Sequence, residues 1–346
     1  FSTFNYMNIS FNRLFILFLV ICILYKIRDT TEPYENEEIY VKIFRNNYPW
    51  KYGFKNKSNI NIKFEIEDKK RNKKTISSII IPKTLYNLEN KMHLSTFLKN
   101  KSYYPETYIY NKKNRILPKN NDIWFIKKCG YSTYGGYDVN VVNNVNKIKD
   151  YIDENNTYII QKSINDLYLY NKKKGDIRMY YLVTLYKNKL NFYLYKDGFI
   201  KLAKNDYDPN ALSTDIQITN TAQINKNDKP RSMIFDKTFK NYDLFLKKIK
   251  TMLTDLSNEI KLSFPKYYKS YYALEYQLCG PDIIFDNNNN PYLIELNSNF
   301  PAYITNNTDD IIKMKKNISK IISNHLFKPA INRENIDLEK HGFIKL

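Results

Sequence analysis

The chain has 346 residues, enough for roughly two or three lobes around sizeable cores. Its hydrophobic (43%) and aromatic (16%) fractions exclude an intrinsically disordered protein. Three widely spaced cysteines, Cys22, Cys129 and Cys279, make neither a disulfide framework nor a zinc pattern, which points to a reducing compartment. The formal charge of +20 favours an acidic partner. Part of it is discounted, because Lys, Asn, Ile and Tyr saturate the whole chain and many lysines read as solvated surface.

In chain order, residues 1–28 hold an apolar run, Leu14–Tyr25, flanked by Arg13, Lys26 and Arg28. As a helix this run reaches about 18 Å, against about 30 Å of hydrocarbon, and snorkelling ends extend it. No small-residue cleavage site follows, so the favoured reading is a signal-anchor: an N-terminal membrane anchor helix over residues 11–28 with a cytosolic catalytic part. A buried core helix is the competing reading. Residues 29–40 are an acidic, Pro-bearing linker. Residues 41–118 alternate strand-like pieces with one helix-like run, LYNLENKMHLSTFLKN, and predict a small α/β lobe.

Residues 119–185 predict a central lobe. The strand IWFIKK ends near Lys127, and a polar turn with Ser132, Thr133, Gly135 and Gly136 follows. Glycines let backbone amides approach phosphate, and a Lys on the adjoining strand adds positive charge. No GK[ST] opens a helix, so this is not a Walker A loop, and a Gly-Gly between strands is more often a plain turn. YIIQK is a strand ending in Gln161 and Lys162. In KGDIR, alternation puts Lys174, Asp176 and Arg178 on one face.

Residues 186–327 predict a C-terminal lobe. Lys201 lies just past the turn KDG, and a long polar loop over residues 205–230 carries Thr219-Asn220. An amphipathic helix over 236–263 places Phe239, Tyr242, Phe245, Ile249 and Leu253 at helical spacing. The segments GPDIIFD and PYLIELN then form a hairpin across an Asn-rich turn. Glu295 and Asn297, two apart on a strand, project together, and the hairpin brings Asp282 beside them. Two carboxylates and an amide oxygen make a hard-cation set suited to Mg²⁺ with substrate phosphates. A second amphipathic helix, DDIIKMKKNISKIISNHLF, reads as packing, and residues 328–346 as a polar arm. The three histidines suggest no triad.

Taken in order, IWFIKK with STYGG, YIIQKSI, KGDIRMYYLVT, LYKDGFIKLA, ITN and GPDIIFDNNNNPYLIELNSNFP resemble the tubulin–tyrosine ligase-like family, a branch of the ATP-grasp ligases. The resemblance covers about residues 80–325. It implies an α+β, ATP-grasp fold with the nucleotide between two antiparallel-sheet lobes and a smaller N-terminal α/β lobe alongside. By this resemblance Lys127 contacts the ATP phosphates under the loop Ser132–Gly136. Gln161 and Lys162, with the backbone of Ser163 and Ile164, hold the adenine. Lys174 and Asp176 line the nucleotide and acceptor site, and Asn220 lines the acceptor region. Arg178, and Lys201 where Arg is usual, hold the γ-phosphate and the developing acyl phosphate. Asp282, Glu295 and Asn297 coordinate Mg²⁺.

Departures fall at Lys128, Ser163, the missing His-Leu before Thr219-Asn220, and NFPAY after Asn297. They bear on the substrate more than on the nucleotide. The implied activity is an ATP- and Mg²⁺-dependent carboxylate–amine ligase adding a free amino acid (Tyr, Glu or Gly) to an acidic protein tail such as that of tubulin. The alternatives are a ligase for another protein or peptide, membrane-associated through the anchor, and a catalytically inactive binding protein. No nucleic-acid module is visible.

Overall fold

The computed structural model describes residues 39–42, 62–65, 76–77, 88–130, 139–219, 231–270, 272–297 and 308–346, all within one compact unit. Short strands β1 (Ile39–Lys42), β2 (Ile62–Glu65) and β3 (Ile76–Ser77) precede helix α1 (Lys91–Phe97) and β4 (Thr107–Tyr110). Asn90 starts α1, its side chain accepting from the backbone N–H of Met92. Strands β5 (Trp124–Cys129), β6 (Val139–Val142) and β7 (Thr157–Lys162) follow, then β8 (Gly175–Arg178), β9 (Tyr181–Tyr186), β10 (Lys189–Tyr195) and β11 (Gly198–Leu202). The rest is helix α2 (Thr214–Gln217), β12 (Ser232–Phe235), α3 (Tyr242–Ser263), the hairpin β13 (Leu274–Phe285) and β14 (Pro291–Asn297), α4 (Asp309–Ile322), α5 (Lys328–Ile331) and β15 (Phe343–Lys345).

These strands make two sheets, so the architecture is mixed α and β with antiparallel pairing dominant. The smaller sheet, in the order β4-β7-β5-β6, is antiparallel throughout. The larger one is built on β13, buried along its whole length. The first half of β13 pairs with β9 and with β3, and its second half with β8 and β14. β1 to β3 join in parallel, so strands of the 41–118 stretch are shared between the two sheets.

Period-2 alternation decides which face of each sheet does what. On the larger sheet Ile177, Ile200 and Ile283 turn into a core with α3. That helix contributes Tyr242, Phe245, Ile249, Leu253, Leu256 and Ile260 at the expected spacing, and Phe245 stacks on Phe285 with ring centroids 3.9 Å apart. Their neighbours Asp176, Arg178, Lys201 and Asp282 therefore face the opposite way. On the smaller sheet Trp124, Ile126, Tyr158 and Ile160 form a separate core, leaving Phe125, Lys127 and Gln161 on the other face.

The C-terminal tail differs from the polar arm expected of it. Leu338 and Phe343 are buried, and β15 extends the larger sheet through β10, because two apolar side chains suffice to dock a short edge strand. No helix among the described residues is long and apolar enough to cross a membrane. The expected anchor over residues 11–28 lies outside the described residues, as do Ser132, Gly135, Gly136 and Asn220.

The start of β11 passes very close to β8. A Cβ added at Gly198 lies 2.5 Å from the Arg178 carbonyl oxygen and 2.6 Å from Met179 Sδ. Gly198→Ala therefore forces the two strands apart and is expected to destabilise the fold by about 1–3 kcal/mol, read as a lower denaturant midpoint. An unchanged midpoint would show that the strands part without penalty.

Candidate functional site

Cross-strand register assembles the site. Across the larger sheet, Phe199, Arg178, Asp282 and Glu295 stand opposite one another on β11, β8, β13 and β14, with Lys201 opposite Asp176 in the row beside them. Directly opposed residues share a face, so register alone turns five ionisable groups to one side. A β-bulge helps at the hairpin: Asp282 opposes Glu295 while Ile283 opposes Leu293, leaving Ile294 as the extra residue. That bulge lets Glu295 join the charged face while Leu293 and Leu296 stay in the core.

Asp282 is the hub. Arg178 grips it in bidentate fashion, through Nε to Oδ1 and through Nη2 to Oδ2 at 2.7 Å. Lys201 Nζ lies 2.8 Å from Asp282 Oδ2 and 2.8 Å from Asp176 Oδ1. Burial opposes ionisation of Asp282, but the Arg178 and Lys201 charges outweigh it and hold the carboxyl well below its usual range. Burial likewise works against the charge on Lys201, yet Asp176 and Asp282 raise its pKa. Asp176 moves the other way: burial raises its carboxyl more than Lys201 lowers it, and Asp282 adds to the rise. Thr219 donates its hydroxyl to Asp176 Oδ2.

The hairpin brings the three predicted metal ligands together. Asn297 Nδ2 lies 3.0 Å from Glu295 Oε1 and 3.3 Å from Asp282 Oδ2, and it also donates to the Gly280 carbonyl at 3.2 Å. The amide thus turns its nitrogen, not its oxygen, toward the carboxylates, and offering the oxygen there takes a half-turn about χ2. Among the described residues no group of three or more His, Cys, Asp or Glu is placed to hold a metal. Two carboxylates and an amide still fit Mg²⁺, which takes few protein ligands and completes its shell with water and phosphate oxygens.

Cations from the smaller sheet and the β8 entry complete the surroundings. Lys127 Nζ donates to Gln161 Oε1 at 2.7 Å, and Gln161 Nε2 donates to Thr107. Burial pushes the Lys127 pKa down to about 8, although Glu295 and Asp282 pull it up. Lys174 is buried, its Nζ 4.4 Å above the Phe125 ring and 3.2 Å from Gln217 Oε1. Burial and the Lys127 charge push it down to about 7.

The residues expected to hold adenine are placed less decisively. Lys162 pairs with Asp122 at 2.7 Å, and the Ser163 N–H is taken by the Ile123 carbonyl. Ile164 follows at the exit of the same strand. Sequence reasoning missed Phe125, Gln217 and Lys315, and it singled out Thr219 without giving it a role. Phe125 was signalled by the i, i+2 relation to Lys127; the other three are neighbours only in space.

A model of the tubulin-tyrosine ligase family matches residues 45–335. The chain belongs to that family. Its family segment reaches beyond the 80–325 stretch carried by the motifs. Among relatives, tubulin glycylase 3F of Tetrahymena thermophila is 29% identical over 259 residues, covering 68% of this chain and 28% of that protein. A probable tubulin polyglutamylase of Homo sapiens is 26% identical over 245 residues, covering 66% of this chain and 39% of that protein. The chain thus spans less than half the length of either relative.

Asp282 and Glu295 differ in how far the fold depends on them. The Asp282 side chain is 4% exposed and neutralises the buried Lys201 and the half-buried Arg178, whereas Glu295 is 35% exposed. Asp282→Asn is expected to destabilise the ligand-free chain by about 3–5 kcal/mol. Glu295→Gln should change stability by under about 1 kcal/mol. Urea unfolding of the two variants checks the order, and equal losses would contradict it.

Proposed function

We propose that this chain is an ATP- and Mg²⁺-dependent carboxylate–amine ligase that adds an amino acid to an acidic protein tail. The observation that carries the proposal is one sheet face that gathers cations beside hard oxygen donors. Arg178 and Lys201 meet Asp282 and Asp176 on the larger sheet, Glu295 and Asn297 stand at its hairpin end, and Lys127 interacts with Glu295 and Asp282. Such cations suit phosphate oxygens, and the carboxylates with the amide suit the metal that accompanies them. Among the described residues, no Ser or Cys paired with a His takes part in the charged row.

A carboxylate is a poor electrophile. In the proposed reaction its oxygen attacks the γ-phosphorus and ADP departs; an amine then attacks the acyl carbon, inorganic phosphate leaves, and the amine's proton passes to solvent. Each step concentrates negative charge that side chains must neutralise. Lys127, oriented by Gln161, faces the phosphates from the smaller sheet, and Lys174 does so from the entry to β8. Arg178 and Lys201 meet the transferred phosphoryl group from the larger sheet. Asp282, Glu295 and Asn297 would hold Mg²⁺, which supplies charge neutralisation on the phosphate oxygens. Ile164 and Gln161 lie where the adenine would sit. The family assignment and the relatives named glycylase and polyglutamylase support a tubulin acceptor and Gly or Glu as the added residue.

The direct test is mass spectrometry of tubulin incubated with the chain, Mg·ATP and Tyr, Glu and Gly in turn. The expected product is tubulin heavier by one added residue, together with ADP. ADP formation that requires a different acceptor would move the substrate elsewhere and keep the ligase. No nucleotide binding at all would favour the inactive binding protein.

Protonation gives a second test. Lys127 and Lys174, held near 8 and 7, are partly neutral at pH 8, and a bound triphosphate restores their charge. Binding therefore takes up protons, and affinity for Mg·ATP should fall as pH rises from about 7 to about 9. Calorimetry in two buffers of different ionisation enthalpy measures the uptake. Binding without proton uptake would mean that these lysines do not meet the phosphates.

A further inference from the structure

A third cation stands at the end of the charged row remote from the hairpin. Lys315, on α4, is 3% exposed, and its Nζ lies 4.7 Å above the ring of Phe199. Phe199 opposes Arg178 and is two residues from Lys201 on β11, so all three share the sheet face of the site. The next strand, β12, packs against α4 and sets Ser232 opposite Lys201. Ser232 Oγ is buried without a hydrogen-bond partner among the described residues, and so is the hydroxyl of Ser319, one helical turn beyond Lys315. Buried hydroxyls are seldom left without a partner in folded proteins.

We infer that Lys315 and Ser232 form a carboxylate subsite that positions a substrate of the ligase reaction beside Arg178 and Lys201; the inference rests on the ligase reading above. Position along the row separates this subsite from the nucleotide. Lys127 interacts with Glu295 and Asp282 at the hairpin end, and Lys174 with Lys127 and Asp176. Lys315 instead feels Arg178 and Lys201, which together with burial hold its ammonium pKa down to about 7. Phosphoryl transfer is in line, so the accepting carboxylate approaches from the side opposite the departing ADP. With the metal ligands at one end and Arg178 in the middle, that side is the end where Lys315 and Ser232 stand. The Lys315 ammonium over the Phe199 ring and the Ser232 hydroxyl opposite Lys201 are donor types that suit a carboxylate at this end of the row.

The carboxylate could come from the free amino acid or from the acceptor chain, and kinetics separates the two. The chain and its variants Lys315→Met, Lys315→Arg and Ser232→Ala are compared by ADP release. Glycine, glutamate and tyrosine serve as amino acids, and a Glu-rich peptide as acceptor. Mg·ATP affinity is measured in parallel by calorimetry. Lys315→Met is expected to raise KM for one carboxylate substrate about tenfold or more, the scale of one lost charged hydrogen bond. Nucleotide affinity should stay within about twofold, and Lys315→Arg should restore most of the loss because the charge returns. Ser232→Ala should raise the same KM by a smaller factor. A rise confined to the amino acid assigns the subsite to its α-carboxylate; a rise confined to the peptide assigns it to the acceptor. Unchanged KM values with intact nucleotide binding, or a loss confined to nucleotide affinity, would overturn the inference and leave the ligase reading in place. Wild-type chain that bound no Mg·ATP would remove both.

Discussion

The site depends on one buried carboxylate shared between two cations. Asp282 sits on β13, and its partners reach it from the two strands to one side, Arg178 on β8 and Lys201 on β11. Taking these three charges out of water is unfavourable, and only close, multiply hydrogen-bonded pairing offsets it. The pairing in turn requires the observed register. A slip of one residue in β8 would carry Arg178 into the apolar layer under α3 and bring Ile177 to the charged face. Electrostatics and core packing therefore specify the same alignment of strands, and neither could be met in another.

The same constraint gives a reason for Lys at position 201, where the resemblance leads one to expect Arg. Nζ lies 2.8 Å from both Asp176 and Asp282. An ammonium is a compact charge that can point its donors at two carboxylates in different directions, whereas a guanidinium fork is built to engage one of them in a plane. Arg178 already supplies the fork, on Asp282. A lysine bridging the two aspartates leaves the site with one planar and one point-like cation. The smaller sheet supports two further point-like cations: Gln161 anchors Lys127, and the Phe125 ring lies under Lys174 without competing for its protons.

Much of this was legible in the chain because period-2 alternation is a local signal. It put Asp176 and Arg178 on one face, and Glu295 beside Asn297 on a hairpin, and the structure does both; Lys174 stands just ahead of the strand. The amphipathic helix α3 was readable for the same reason at period 3.6. What escaped is non-local. The strand was read as starting at Gly280, yet β13 begins at Leu274, and its first half carries β9 and β3. Lys315 read as one more lysine on an amphipathic helix, since the charge that distinguishes it arrives from β8 and β11. Gln217 and Thr219 lay in a stretch read as irregular, and only the folded chain brings them to Lys174 and Asp176. The orientation of the Asn297 amide depends on the Gly280 carbonyl across the hairpin, seventeen residues away in sequence.

The charged row also orders the chemistry in space. Hard oxygen donors stand at the β14 end, the bidentate arginine in the middle, and an aromatic ring capped by Lys315 at the β11 end. Phosphate charge is the same for every ligase of this type, whereas the acceptor and the amino acid differ. On the proposed ligase reading, residues meeting phosphate would keep their chemistry, and those meeting the acceptor or the amino acid would be free to change with the substrate. The departures from the pattern that the resemblance implies cut across that division. Lys127, Arg178, Asp282, Glu295 and Asn297 match, while Lys128, Ser163, Lys201, the residues before Thr219 and those after Asn297 do not. Lys201 stands at the boundary, in contact with Asp282 on one side and in the row that leads to Ser232 on the other. On the proposed ligase reading, Lys201 would link the phosphate end of the row to the end formed by β11, β12 and α4.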